Sequence, residues 1–198
     1  MIGTGSGPAR MPGQRDMKPK QTVVVGVTGS IAACKAVDLV SQLSKSGVNV
    51  RVILTRDAQK FVTALPFKTL SRNAVITDLY DEEEGWKPSH SDVADLATLL
   101  VIAPATANTI ARLAHGLADD ALSCVALAVE PGIPILVAPA MNGKMWMHPA
   151  TQHNVGILKS RGVEFIGPDE GMLSCGYEGL GRLSDPGVIA ARVMALLG

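Results

Sequence analysis

Four short runs of nearly unbroken apolar residues, at 22–27, 50–54, 99–103 and 133–138, constrain the fold of this chain more than any other feature. A strand with one wet face alternates apolar and polar residues, whereas a strand buried on both faces does not. The runs therefore predict parallel strands covered on both sides. Stretches with helical apolar spacing lie between and after them, at 31–46, 109–117, 121–129 and 150–161, and a last one at 188–197 closes the sequence. This alternation predicts an α/β fold: a doubly wound parallel sheet, Rossmann-like, in three α/β/α layers. Composition agrees, since 47% of residues are hydrophobic but only 4% aromatic, leaving an aliphatic core.

The 198 residues suffice for one substantial core. Residues 1–20 are rich in Gly, Pro, Lys and Arg and lack the apolar centre of a secretory signal, so they read as a flexible tail before a single domain at 21–198. No apolar run reaches the length of a membrane span. A formal net charge of zero without a basic stripe argues against a nucleic-acid partner and leaves room for self-association. Three cysteines cannot all pair and match no zinc spacing, which predicts a cytoplasmic protein with free thiols. Cys34 and Cys124 fall in helical apolar stretches and are expected in the core.

The chemistry-bearing residues cluster where the strands end, the edge at which open parallel sheets hold ligands. The first run ends in Thr28-Gly29-Ser30-Ile31-Ala32-Ala33, small residues at a turn whose N–H groups can approach an anion. It is neither a G-x-G-x-x-G fingerprint nor a phosphate loop, so helix capping explains it equally well. The second ends in Thr55-Arg56-Asp57-Ala58, where Thr55 either caps a helix or adds a hydroxyl to the same anion. The third ends in Pro104-Ala105-Thr106-Ala107-Asn108-Thr109, either a capped helix start or a loop beside a ring or phosphate. The fourth leads into Pro139-Ala140-Met141-Asn142-Gly143-Lys144-Met145-Trp146. Two Met and a Trp are costly to leave in water. That loop is either tucked under a helix or a lid over a flat ligand, with Asn142 as its polar contact. Convergence of these turns on one edge predicts a mononucleotide pocket.

Of the four histidines, His90 in Ser89-His90-Ser91 is either a catalytic group or a solvated structural one. None has metal-ligand spacing, so no metal is expected. An acidic loop at 81–88 precedes it. The stretch 167–186 holds five glycines and two prolines, which predicts an irregular, mobile flap. Within it, Leu173-Ser174-Cys175-Gly176-Tyr177-Glu178-Gly179 carries the thiol best placed to react.

The 139–146 stretch resembles the P-x-M-N-x-x-M-W motif of the homo-oligomeric flavin-containing cysteine decarboxylases. The 104–109 stretch is similar to that family's P-[ST]-A-N-T flavin motif, and the 28–33 stretch to its N-terminal flavin turn. The likeness runs from about Gln21 to the end of the sequence. It implies a flavoprotein-type sheet holding FMN at its strand ends, in a pocket completed by a neighbouring subunit of a trimer or of a dodecamer of trimers. It further implies that Gly29, Ser30, Ile31 and Thr55 hold the phosphate end, and that Thr106, Ala107, Asn108, Thr109 and Ala140 line the flavin. His90 matches the active-site histidine and Asn142 the substrate-carboxylate contact, with Met145 beside it. The 173–182 stretch resembles the substrate clamp of the phosphopantothenoylcysteine decarboxylase branch, with Ser174, Arg182 and a catalytic Cys175.

The implied chemistry needs these residues together. Loss of CO₂ from a cysteine carboxylate leaves electrons with no acceptor. Oxidising the thiol to a thioaldehyde provides one, with FMN as oxidant and His90 supporting thiol deprotonation. Asn142 would position the carboxylate, and Cys175 would give the proton that allows the ene-thiol to be reduced again. The product would be 4′-phosphopantetheine, in coenzyme A biosynthesis, made by a stand-alone decarboxylase. Relatives acting on peptidyl cysteine release the ene-thiol, and flavin-binding regulatory relatives depend on acidic tails. Lys35 is either an exposed helix lysine or the group that takes the substrate phosphate.

Overall fold

The computed structural model describes residues 21–80, 89–172, 176 and 178–198. Strand β1 (Thr22–Val27) lies between β2 (Asn49–Leu54) and β4 (Leu99–Ala105). Beyond β2 is β3 (Val75–Ile76), and beyond β4 are β5 (Ile135–Pro139) and β6 (Glu164–Phe165). The order is β3-β2-β1-β4-β5-β6 and every pairing is parallel. The chain winds outward from β1 through β2, then crosses back to β4 and winds the other way. The gap between the carboxyl ends of β1 and β4 is therefore the topological switch point, where such sheets open a crevice.

The unbroken apolar runs are explained by two cores. Successive side chains point to opposite faces. Val23, Val25 and Val27 enter one core with Leu39, Leu43, Ile189 and Val193, while Val24 enters the other with Leu100, Ile110, Leu122 and Val155. The first face is covered by α1 (Lys35–Lys45) and α8 (Pro186–Leu197). The second is covered by α3 (Ser89–Leu96), α4 (Ala107–His115), α5 (Ala121–Ala128) and α7 (Pro149–Ser160). Gly26 lets α5 approach β1: a Cβ there would lie 2.4 Å from Leu122 Cδ1.

All four predicted strands are present, and the predicted helices correspond to α1, α4, α5, α7 and α8. The edge strands β3 and β6 have two residues each, too short for a periodicity to register. Helix α2 (Ala64–Ser71) also escaped the pattern, since it buries a single residue, Phe67. The first predicted helix divides into a 3-10 turn at Ile31–Cys34 and α1. The segment expected to be irregular contains an antiparallel hairpin, β7 (Asp169–Met172) with β8 (Glu178–Arg182). Its glycines remove the apolar alternation by which strands are read.

The two thiols expected in the core are not there. Cys34 is exposed because the buried stripe of its helix is Ala33, Ala36, Leu39, Val40 and Leu43, which turns position 34 outward. Cys124 is half-buried, and burial together with Asp120 and Asp119 pushes its thiol pKa up. Among the described residues, no helix is long and apolar enough to cross a membrane, and no group of three or more His, Cys, Asp or Glu could hold a metal.

Candidate active site

The turn after β1 is held to the turn after β4 by Thr28. Its hydroxyl donates to the Pro104 carbonyl at 2.7 Å and accepts from the Thr106 N–H at 3.0 Å, with the residue only 1% exposed. Ser30 then caps the 3-10 turn, accepting from the Ala32 N–H at 3.3 Å. Gly29 has a steric requirement, because a Cβ there would lie 2.4 Å from Asp57 Cβ. That close approach brings the turn after β2 against the turn after β1. Thr55 in that turn caps through its hydroxyl, which accepts from the Ala58 N–H at 3.3 Å, and it also faces the crevice.

On the other side of the switch point, Thr106 is the N-cap of α4 and accepts from the Thr109 N–H at 3.3 Å. The helix starts two residues before the predicted Thr109, so Ala107, Asn108 and Thr109 all sit in its first turn, where backbone N–H groups lack helical partners. These turns line a cleft of about 760 Å³ that takes in Gly29, Ser30, Thr55, Thr106, Ala107, Asn108, Thr109 and Ala140 together.

The cleft is rich in charge but nearly balanced. Lys60 pairs with Asp57 at 3.0 Å, and its hydrogen bond and charge hold the Asp57 carboxyl below its usual pKa. Arg112 pairs with Asp119 at 2.9 Å and Asp120 at 3.3 Å. Arg56 forms no ion pair among the described residues. An anion here would be met mainly by hydroxyls and backbone N–H groups at helix starts. Thr28, Arg112 and Asp120 also line this cleft, although the sequence motifs do not single them out as site residues. A signal existed for two of them: Arg112 follows Asn108 by one helical turn, and Asp120 carries the Asp-x-x-Ser pattern of a capping box, which it forms with Ser123.

The stretch after β5 divides the alternatives left open for it. Trp146 is 8% exposed and packs in the core with Val155 and Leu158, so it anchors the segment and is no part of a lid. Met145 is 51% exposed and lines the first cleft. Asn142 caps a one-turn helix, α6 (Gly143–Trp146), its Oδ1 accepting from the Lys144 N–H at 2.8 Å. That bond orients the side-chain amide.

A second cleft of about 490 Å³ adjoins the first. Asn142, Arg182, Lys35, Cys34 and Ile31 line it, and it shares Ser30, Ala140 and Met141 with the first. Ile31, expected with the phosphate-end group, therefore lies on the second cleft. His90, on α3, lines neither. Its Nδ1 is buried with no hydrogen-bond partner among the described residues. Ser174 and Cys175 lie outside the described residues.

The family profile described as Flavoprotein matches residues 12–198. This chain belongs to the Flavoprotein family. Among curated relatives, this flavoprotein is 46% identical over 170 residues to the coenzyme A biosynthesis bifunctional protein CoaBC of Bacillus subtilis, covering 86% of the chain and 41% of that protein. The chain thus spans about two fifths of that relative's length. It is 42% identical over 171 residues to the probable phosphopantothenoylcysteine decarboxylase of Streptococcus mutans, covering 86% of the chain and 96% of the relative. Among solved structures, a mutant PPC decarboxylase complexed with pantothenoylaminoethenethiol superposes with a TM-score of 0.80 at 30% identity, covering 89% of this chain and 97% of that one. The FMN-dependent cysteine decarboxylase SpaF gives 0.76 at 31% identity, covering 91% and 99%.

Proposed function

We propose that this flavoprotein uses FMN to decarboxylate 4′-phosphopantothenoylcysteine to 4′-phosphopantetheine, a cytoplasmic step of coenzyme A biosynthesis. The observation that carries this reading is the shared wall of the two clefts at Ser30, Ala140 and Met141. A cofactor in the first cleft and a carboxylate beside Asn142 in the second would be in contact there. The names of the Streptococcus mutans relative and of the ligand-bound neighbour support the substrate class.

The first cleft fits FMN by its donor set. Ser30 and Thr55, with the N–H groups following Gly29, suit a phosphate, while Ala107, Asn108, Thr109 and Ala140 offer small and amide groups for a ring. Bound there, FMN would supply a hydride acceptor for the cysteinyl Cβ and, once reduced, the hydride that is returned. His90 takes the thiol proton as the C=S bond forms. The Asn142 amide donates to the carboxylate and orients the bond that breaks. The electrons left by CO₂ pass into C=S and yield an ene-thiolate. Cys175 then supplies the proton to carbon, closing the cycle without a net oxidant. Arg182 adds positive charge for the carboxylate across the second cleft from Asn142, Lys35 provides positive charge for the far end of the substrate, and the 167–186 segment serves as its clamp.

His90 belongs to this site only if a second copy brings it there. A trimer, or a dodecamer of trimers, would place His90 of the partner subunit at the cleft and satisfy its orphaned Nδ1.

Asn142→Ala is expected to keep the flavin, seen in the visible absorbance of the purified protein. Its turnover of phosphopantothenoylcysteine should fall on the order of 100-fold. Wild-type turnover in that variant would remove Asn142 from the reaction.

A further inference from the structure

The carboxylate site proposed above is assembled from two segments of the chain far apart in sequence, the turn at Asn142 and the strand ending in Arg182. Their relative placement rests on one close backbone contact. The Met141 N–H donates to the Gly181 carbonyl at 3.0 Å, tying β8 to the turn that carries Asn142. Gly181 is buried, at φ +154, where side chains are rarely tolerated. A Cβ on it would lie 2.2 Å from the Met141 carbonyl oxygen and 3.2 Å from the Gly143 nitrogen. These are backbone atoms on both sides of Asn142 and cannot rotate away.

A second glycine completes the arrangement. Gly171, in β7, has φ +153, and a Cβ there would lie 3.3 Å from Cζ, Nε and Nη1 of Arg182. The guanidinium therefore lies across the bare backbone of the neighbouring strand. Arg182 pairs with no carboxylate among the described residues.

We propose that Gly181 is a positioning residue of the carboxylate site. By seating the β7–β8 hairpin directly on the Met141–Gly143 backbone, it fixes the separation of Asn142 and Arg182 across the second cleft. The hairpin and the Asn142 turn then move as one unit. This rests on the function proposed above, in that the second cleft takes a ligand carboxylate.

The test uses the FMN-loaded protein and two probes read through the flavin absorbance. One is 4′-phosphopantothenoylserine, which keeps the carboxylate but has a hydroxyl in place of the thiol. The other is 4′-phosphopantetheine, which has no carboxylate. Gly181→Ala is expected to weaken the serine probe on the order of tenfold to a hundredfold, while phosphopantetheine binding changes by less than about twofold. Added to Asn142→Ala, it should weaken the serine probe by less than about a further twofold, since the effect passes through Asn142. Equal weakening of both probes, no weakening, or a full additional effect on Asn142→Ala would overturn the proposal.

Should Gly181→Ala fail to fold, hydrogen exchange of the wild type decides. The Met141 amide should be protected, and more so with the serine probe than with phosphopantetheine. Exchange at the solvent rate, or equal protection by both probes, overturns the tie. If wild type binds no serine probe, the functional reading fails as well. If it binds the probe and Gly181→Ala binds it equally well, only the role of Gly181 fails.

Discussion

Thr28 illustrates how little side chain is needed to shape the switch point. One hydroxyl both donates to Pro104 O and accepts from Thr106 N–H, so it sets the spacing between the turns after β1 and β4. Thr28→Val keeps the shape but takes the hydroxyl partner from the half-buried Thr106 N–H and leaves the buried Pro104 carbonyl only the 3.3 Å bond from the residue-28 N–H. The expected cost is about 1–3 kcal/mol of stability, read by denaturant unfolding. The apparent FMN affinity should weaken as well, because Thr106 is the cap of α4. Unchanged stability would show that these groups find other partners. In the sequence Thr28 is only the first residue of a turn motif, since the bonds it makes reach Pro104 and Thr106, well outside any local window.

At the scale of elements, the turns on the sheet edge were legible because each follows a long buried run, which fixes where a strand must end. The turns after β1, β2, β4 and β5 are all legible in this way. Elements defined by contact rather than period were not. Helix α2 buries one residue, β3 and β6 are two residues long, and the β7–β8 hairpin is written in glycines whose purpose appears only when Met141 and Arg182 are seen against them. Gly26 belongs to the same class. It sits in a strand whose other residues are Val and Thr, and its reason is Leu122 on α5. Gly26→Ala should destabilise the protein by about 1–3 kcal/mol through overpacking. Gly26→Ala with Leu122→Ala should cost less than the sum of the two single changes, because the second removes the clash. Additivity in thermal or denaturant unfolding would rule out this contact as the cause.

On the scale of the whole molecule, the two clefts meet within one subunit while His90 lines neither, so the proposed chemistry requires assembly. A mixed oligomer of His90→Asn and Asn142→Ala subunits tests this directly. If His90 serves a neighbour's cleft, co-assembly of two inactive parents should restore roughly a quarter of wild-type activity in a random cyclic trimer. Mixed oligomers, verified by differential tags, that stay inactive would place both residues in one subunit. The central claim is that FMN chemistry and carboxylate release share the wall at Ser30, Ala140 and Met141. The most direct measurement is the product mass after the purified FMN-loaded protein acts on phosphopantothenoylcysteine with no added oxidant or reductant. Loss of CO₂ alone, with the flavin oxidised at the end, is the predicted result. Unchanged substrate, or loss of CO₂ plus two hydrogens with the flavin left reduced, would contradict it.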